Sequence, residues 1–301
     1  MSPYSPLIPC SLCGHPSRLH GSSVIRLPIY RCAECGFEQL APGSIPDPAS
    51  IYTKDYFRRW GGEKMQEEVR NLKKLTFRRI LARIEKYSKP GRILDIGCAK
   101  GYFLEEAAER GWDPFGIDIN PDAIRVAGQR FEGRVLMGRV EDLPDRFDRF
   151  DVLAATDVIE HTPRPYDFLI AARRLLQDGG LIVLTTVNTA SLSHFFMGRF
   201  WPHYKPEHPC YFDPRNLNTL LRKTGFWPLE FWNTLKTLSP GYLFSVLRED
   251  HPPLLGILAR YLQTIMPDFL QRLPIPLLLG EFSVIARCES HPFDLPKAAG
   301  T

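Results

Sequence analysis

Four cysteines near the start of the chain have the spacing of a metal site. Cys10 and Cys13 form one CxxC pair, and Cys32 and Cys35 form a second pair 18 residues later. A glycine follows each pair and permits the tight turn that brings two thiolates to one side of an ion. Four thiolates fill the tetrahedral coordination of zinc, so the sequence predicts a structural zinc ion, with two disulfides as the alternative.

A glycine turn follows the short apolar segment 92–97 (RILDIG). Gly97 and Gly101 lack a Cβ, so the backbone can come close to a ligand before the next helix begins. Nicotinamide cofactors use a similar turn, but their GxGxxG pattern has glycine where Ala99 stands. Asp95 can accept a hydrogen bond from an ammonium group, which favours a ligand with an amino-acid part.

A second acid stands at the end of the next predicted strand. Asp118 lies 21 residues after Gly97. In Rossmann-type sheets an acid at this position accepts hydrogen bonds from ribose hydroxyls. The alternative is a surface aspartate that caps the helix starting at Pro121.

Three ionisable residues follow a further apolar strand. Asp157, Glu160 and His161 fall within five residues, where open α/β sheets place ligands. They could bind a divalent cation such as magnesium. His161 could instead act as a general base. In a third interpretation, Glu160 and His161 only fix the loop by hydrogen bonds.

An aromatic, proline-rich loop, 201–212, is too long to be a simple connector. It contains His208, a second candidate for acid–base chemistry, and the weaker candidates His203 and Tyr204. A structural histidine held by loop hydrogen bonds is the alternative for His208.

These residues require an alternation of strands and helices to position them. Apolar periodicity predicts a helix over 63–88 and a Pro-initiated helix over 121–130. Further helices are predicted at 102–110, 166–176 and 214–223. Strands are predicted at 92–97, 114–118, 134–138, 150–156, 181–187, 226–235 and 281–288. The alternation predicts an α/β fold with a Rossmann-like parallel sheet covered by helices on both faces.

An apolar segment, 254–279, lies between the last two predicted strands. Its periodicity predicts a helix hairpin broken at Pro267, with core-covering helices as the favoured interpretation. A lid over an apolar acceptor and contact with a membrane surface are the alternatives. Only Arg260 and Arg272 are basic here, which disfavours an electrostatic membrane anchor.

Composition excludes several classes of protein. The net charge is +4, and lysines and arginines are scattered, so no nucleic-acid partner is expected. The N-terminus has no basic stretch followed by an apolar run, and no apolar stretch is long enough to span a bilayer. Paired cysteines favour a reducing compartment, and the expected location is cytoplasmic. The oligomeric state stays open.

Five motifs in sequence order resemble those of the class I S-adenosylmethionine (SAM)-dependent methyltransferases. They are LDIGCAKGYFL, GIDIN, GRVEDLP, FDVLAATDVIEHTPRPYDFL and LLQDGGLIVLTTVN, and the resemblance covers about residues 90–235. With the CxxC pairs ahead of it, the chain resembles a bacterial subgroup that carries an N-terminal zinc ribbon. The implied fold is a Rossmann-like sheet with a small ribbon attached.

The resemblance implies cofactor-binding roles at the first two strand ends. Asp95, Gly97 and Gly101 would contact the methionine part of SAM. Asp118 would hold the ribose, and Ile119 would pack on the adenine.

Two more strand ends would complete the cofactor pocket. Val140 and Glu141 would border the adenine, and Thr156 with Asp157 would close the pocket. Many members have an acid where Arg139 stands, so the group that meets the adenine amine is left open.

On the acceptor side, the resemblance concerns two histidines. Some quinone O-methyltransferases bind a divalent ion through an acid-xx-Glu-His run, although the Glu160–His161 dipeptide recurs in the superfamily whatever the substrate. In relatives a histidine followed shortly by phenylalanine lies over the acceptor pocket, which His208 and Phe212 match.

The predicted function is methyl transfer from SAM to a small-molecule acceptor, at oxygen or carbon. The alternatives are a nucleotide-sugar or glycan methyltransferase, and a non-catalytic module recruited through the ribbon. The expected organisation is a ribbon at 1–45, a linker and helix at 46–89, a methyltransferase domain at 90–290 with an apolar insert at 236–280, and a flexible tail at 291–301.

Overall fold

The computed structural model of the protein describes residues 5–23, 25–45, 62–144, 149–250 and 253–289. Most of the expected linker, 46–61, and the expected tail, 291–301, lie outside the described residues. The strands are β1 (Leu7–Pro9), β2 (Pro16–Ser22), β3 (Pro28–Cys32), β4 (Glu38–Leu40), β5 (Arg92–Ile96), β6 (Asp113–Asp118), β7 (Val135–Met137), β8 (Phe150–Thr156), β9 (Leu176–Val187), β10 (Cys210–Tyr211), β11 (Phe226–Leu238) and β12 (Ile275–Cys288).

Nine α-helices among the described residues surround these strands. They are α1 (Gly62–Ile84), α2 (Tyr102–Glu109), α3 (Pro121–Gly128), α4 (Pro165–Arg174), α5 (Leu192–Met197), α6 (Pro214–Lys223), α7 (Pro240–Asp250), α8 (Pro253–Ile265) and α9 (Asp268–Gln271). Three of the core-covering helices, α3, α4 and α6, begin with proline at their first turn, where a missing backbone N–H costs no hydrogen bond.

The larger sheet has seven strands in the order β11-β12-β9-β8-β5-β6-β7. Its central pairs, from β9 across to β7, are parallel. β12 runs antiparallel to both of its neighbours. The parallel strands therefore end together at one edge of the sheet, which is where ligands bind in open α/β folds.

Alternate residues of the central strands pack on opposite faces of this sheet. On one face, Leu94, Leu153 and Ile182 join a core that includes α4, α6 and the cysteine-rich N-terminal segment. On the other face, Ile93 and Val152 pack with α1 and α2. This period of two is expected of strands covered on both sides, so the predicted layered α/β fold is confirmed.

The smaller sheet has the order β1-β2-β3-β4-β10. Its first four strands lie within residues 7–40, but its fifth strand, β10, comes from the aromatic loop after β9. The N-terminal segment and the loop thus share one sheet.

Several expected element bounds differ from the structure by a few residues, and the largest differences are at β9 and β12. β9 begins at Leu176 rather than at 181, because Gly179 and Gly180 form an irregularity inside the strand, where its register against β8 shifts. The predicted helix hairpin ends at Gln271, and β12 already begins at Ile275. Pairing with β11 along this stretch makes it a strand despite its apolar, helix-compatible composition.

The helices between β11 and β12 bury only part of their apolar surface. Ala259 is buried, whereas Ile257, Tyr261, Ile265 and Phe269 are each more than half exposed. Among the described residues, no helix combines the length and the apolarity needed to cross a bilayer.

Candidate functional site

Two positions of the turn between β5 and α2 have a backbone conformation that would be strained for any residue other than glycine. Gly97 and Gly101 have φ angles of 77° and 80°. A Cβ on Gly97 would lie 2.6 Å from a methyl carbon of Val158, and one on Gly101 would lie 3.3 Å from the Cβ of Ala127. Packing and backbone conformation therefore require these glycines without any ligand; their contact with a cofactor stays a prediction.

Asp95 lies beneath this turn with an unsatisfied oxygen. Its side chain is buried, and its Oδ1 has no hydrogen-bond partner among the described residues. Burial raises the pKa of Asp95 well above its usual range, the nearby Asp118 raises it further, and Lys73 opposes this. A buried polar atom without a partner points to a missing donor. The ammonium group of an amino-acid-like ligand supplies such a donor, so this position fits SAM.

Asp118 ends β6 beside the turn. Its Oδ2 accepts a hydrogen bond from the amide of Ala99 and its Oδ1 accepts one from the amide of Asn120, both at 2.8 Å. The alternative that Asp118 caps α3 is wrong, because the side chain of Asn120 caps that helix. Each carboxylate oxygen can accept a second hydrogen bond, so Asp118 retains capacity for ribose hydroxyls.

The remaining predicted cofactor residues lie at the same edge. Ile119 is 39% exposed, and Val140 is buried in the turn after β7. Glu141 is exposed beside it, and Thr156 is half-buried at the end of β8. The structure thus places four neighbouring strand ends, those of β8, β5, β6 and β7, along one continuous edge.

Asp157 forms an ion-pair network that the sequence did not reveal. Lys236 from β11 donates to Asp157 Oδ2 at 2.7 Å and to Glu281 Oε1 of β12 at 2.8 Å. Burial lowers the pKa of Lys236, but the two carboxylates outweigh it and hold the pKa above its usual range. Burial raises the pKa of Glu281 to about 7. Asp157 has a φ of 59°, in the left-handed region that aspartate adopts more readily than most residues other than glycine.

Two carboxylate oxygens of this network face no donor. Asp157 Oδ1 and Glu281 Oε2 are buried without a hydrogen-bond partner among the described residues. Lys236 follows the predicted strand 226–235 and Glu281 begins the predicted strand 281–288, and these charged residues beside strands were the signal in the sequence, since charged residues are rarely buried unless they are paired or functional.

Glu160, His161 and His208 meet, although the two histidines lie far apart in the sequence. Their potential ligand atoms all lie within 4.8 Å of one another. The two imidazole rings are edge-to-face with centroids 4.5 Å apart. Asp157 is absent from this group because it pairs with Lys236. The expected cation site of Asp157, Glu160 and His161 is therefore not assembled as one ligand set in the described residues.

Backbone carbonyls orient both histidines. His161 Nδ1 lies 2.9 Å from Glu207 O, and His208 Nδ1 lies 2.9 Å from His203 O. Burial lowers the pKa of His161 to about 4, and burial followed by the neighbouring His161 lowers the pKa of His208 well below its usual range. Both imidazoles are therefore neutral near pH 7 and able to accept a proton, although each is a weak base.

Glu160 has a different environment. It is buried and accepts a hydrogen bond from Thr186 Oγ1 at 2.9 Å. Burial, followed by the charge of Asp157, raises the pKa of Glu160 to about 8. This contact agrees with the interpretation that Glu160 fixes the loop.

The four N-terminal cysteines gather into one cluster. The sulfur of Cys35 lies 3.7 Å from that of Cys10 and 3.5 Å from that of Cys13, and the sulfurs of Cys13 and Cys32 are 3.5 Å apart. A tetrahedron of sulfurs about 2.3 Å from a central zinc ion has edges of about 3.8 Å. The cysteines are free thiols, so the arrangement fits a closed tetrathiolate zinc site rather than two disulfides.

A family model described as "Methyltransferase domain" matches residues 63–230 of the 301-residue chain. Among curated proteins, a ubiquinone biosynthesis O-methyltransferase from Cereibacter sphaeroides is 35% identical over 151 residues. That match covers 46% of this chain and 61% of the relative.

Solved structures share the fold at low sequence identity. A SAM-dependent methyltransferase from Archaeoglobus fulgidus has a TM-score of 0.50 and 21% identity, over 80% of this chain and 100% of its own. Magnesium protoporphyrin IX methyltransferase from Synechocystis, solved with bound SAH, has a TM-score of 0.51 and 13% identity, over 80% of this chain and 97% of its own.

Proposed function

The chain belongs to the methyltransferase-domain family, and from that premise we propose that it transfers the methyl group of SAM to a small-molecule acceptor, at oxygen or carbon. The observation that carries the proposal is the unsatisfied, buried Oδ1 of Asp95 at the parallel strand edge, beside Asp118. Asp95, which lacks a donor, matches the ammonium group of SAM. Asp118, which can accept further hydrogen bonds, matches the ribose of the same molecule.

The described residues would hold SAM along this edge. Asp95 would accept from the ammonium group, and Asp118 from the ribose. Ile119 and Val140 would border the adenine, with Glu141 beside them. When bound, SAM supplies an activated methyl carbon, so the protein needs mainly to align the acceptor and exclude water.

On the acceptor side, His208 and His161 would receive the proton of an acceptor hydroxyl. Their lowered pKa values suit removal late in methyl transfer, when the acceptor oxygen has become more acidic. The magnesium site that the sequence suggested at Asp157, Glu160 and His161 is not part of this proposal, because Lys236 pairs with Asp157 and the three residues do not form one ligand set among the described residues.

An oxygen acceptor of the quinone-biosynthesis type is supported by the curated relatives, which are named ubiquinone biosynthesis O-methyltransferase. The second candidate is a hydroxyl-rich acceptor such as a nucleotide sugar. The unpartnered Glu281 Oε2 favours it, because a sugar hydroxyl would satisfy that oxygen.

The zinc ion proposed for the ribbon would be structural. Four protein thiolates leave no open coordination position for a substrate or water.

Tritium-labelled SAM distinguishes these functions. We expect label in the product when 3,4-dihydroxybenzoate is the acceptor. Label appearing only with a nucleoside-diphosphate sugar would select the second candidate. SAM binding with no transfer to either acceptor class, or to cell-extract fractions, would support a non-catalytic module.

A further inference from the structure

The aromatic loop that carries His208 is clamped by the N-terminal segment. β10 pairs with β4, with Cys210 opposite Gln39 and Tyr211 opposite Glu38. The amide of Leu40 donates to the carbonyl of Pro209 at 3.0 Å. The backbone is thus fixed from the residue directly after His208.

A buried hydrogen bond closes the same interface. The hydroxyl of Tyr204 donates to Glu38 Oε2 at 2.8 Å and also lies 2.8 Å from His194 Nε2 of α5, and Glu38 is only 1% exposed. Burial and the Glu38 carboxylate both raise the pKa of Tyr204, so its hydroxyl stays protonated and keeps donating. A tyrosine of the loop and a carboxylate of the N-terminal segment are therefore locked together away from water.

Apolar packing surrounds this bond. The rings of Phe37 and Phe212 lie 5.1 Å apart. Further apolar side chains form one buried cluster with Val187 of β9: Ile29 and Leu40 come from the N-terminal segment, and Trp201, Tyr204 and Tyr211 come from the loop. The contact between the loop and the N-terminal segment is thus a small hydrophobic core in its own right.

The predicted metal ligands set the hairpin that makes these contacts. Cys32 ends β3, and Cys35 lies in the turn that leads into β4 at Glu38. Cys10 and Cys32 pack in the same core as Cys210 and Phe212. An ion at the four sulfurs would fix the turn from which Glu38 and Leu40 project.

Inside the loop, the His208 amide donates to the carbonyl of Lys205 at 3.1 Å and His208 Nδ1 lies 2.9 Å from His203 O, but the loop has no regular secondary structure over 201–209. Pro202, Pro206 and Pro209 supply no backbone N–H for pairing. The position of His208 therefore depends on what the loop is packed against.

We propose that the zinc-bearing N-terminal segment is a positioning element for the acceptor side, which holds the 201–212 loop and thereby His208. Glu38 and Tyr204 are its positioning residues. The ribose end of the cofactor side is separate from the loop, because β9, from which the loop departs, is three strands and about 14 Å from β6, which carries Asp118. The placement of His208 is structural, whereas its use in the reaction rests on the methyl transfer proposed above.

The test compares Tyr204→Phe and Cys32→Ser with the wild-type protein. A matched control, Tyr30→Phe, removes a tyrosine hydroxyl that donates to Ser5 O inside the N-terminal segment. Hydrogen exchange reports opening of the 201–212 loop. Acylation by diethyl pyrocarbonate, followed by mass spectrometry, reports access to His208, with the exposed His20 as internal reference. Calorimetry reports SAM affinity.

Loss of the Tyr204–Glu38 bond should accelerate exchange in the loop and acylation of His208 by roughly 10- to 100-fold, because hydrogen bonds to charged groups contribute about 1.5–3 kcal/mol. Cys32→Ser, which should lack zinc, should accelerate loop exchange and His208 acylation at least as much. Tyr30→Phe should leave both rates unchanged, and all folded variants should keep wild-type SAM affinity.

Unchanged His208 acylation in Tyr204→Phe would overturn the proposal even if Cys32→Ser fails to fold, since Tyr204→Phe keeps all four cysteines. SAM affinity that falls together with loop protection would overturn the independence of the two sides. Failure of the proposed function is a separate result: wild-type protein that does not bind SAM, whatever the exchange rates show.

Discussion

The environment of His203 predicts how the free energy of unfolding changes at acid pH. It lies half-buried in the 201–212 loop, and its Nε2 is 2.9 Å from the carbonyl of Leu279. Burial lowers the pKa of His203 from 6.5 to about 4. The folded protein therefore binds this proton less readily than the unfolded chain, and His203 contributes stability above pH 6.5 that is lost as the pH falls toward 4.

The magnitude follows from proton linkage. One pKa unit corresponds to about 1.4 kcal/mol, and between pH 7 and pH 5 the relation gives a loss of about 2 kcal/mol for this single residue. His203→Gln removes the titration but keeps an amide N–H that can donate to Leu279. The variant should therefore lose about 2 kcal/mol less unfolding free energy than wild type over this pH interval.

Urea unfolding at the two pH values measures the difference directly. His20→Gln, at an exposed histidine, is the matched control and should behave like wild type. Acid release of zinc affects all three proteins alike and cancels in the comparison. Equal losses in wild type and His203→Gln would show that burial does not keep His203 neutral. The same reasoning for His161 and His208 would then fail as well.

Three further predictions concern the metal, the ion-pair network and the acceptor side. The purified protein should contain about one zinc ion per chain by elemental analysis, and Cys32→Ser should lose it; a metal-free wild type prepared under reducing conditions would contradict the ribbon. Lys236→Met should lower the unfolding free energy by about 2 kcal/mol, because it leaves two carboxylates without their cation, whereas the exposed control Lys86→Met should change it little. His208→Ala should reduce turnover on the order of 10²-fold at unchanged SAM affinity, the low end for a general base because burial weakens its basicity; unchanged turnover in this variant and in His161→Ala would leave alignment alone as the source of the rate.

The central sheet was predictable because its signals are local. Apolar runs bounded by polar and glycine residues gave β8 at Phe150–Thr156 and α6 at Pro214–Lys223 with the bounds that the structure has. Gly179 and Gly180 led to the wrong start for β9, because glycine occurs both at strand ends and at irregularities within strands.

The contacts of the site were less predictable because they join distant segments. β10 has only two residues and pairs with a strand about 170 positions earlier, a distance at which no periodicity helps. Lys236 and Glu281 were missed for a related reason: they stand at the edges of the predicted strands 226–235 and 281–288, and only the sheet brings both to Asp157. The CxxC pairs, by contrast, predicted the four-cysteine cluster, because the geometry of each pair is local.

Calorimetric titration with SAM tests the central claim, that the edge formed by Asp95 and Asp118 binds this cofactor. The account predicts binding to wild type at one site per chain. Asp118→Ala should weaken it by roughly 10- to 100-fold, since the carboxylate accepts charge-assisted hydrogen bonds worth about 1.5–3 kcal/mol. The matched control is Asp113→Ala, at the opposite end of β6, which should bind like wild type. Thermal unfolding of both variants verifies that they are folded. No binding to wild type, or equal affinity in wild type and a folded Asp118→Ala, would contradict the account.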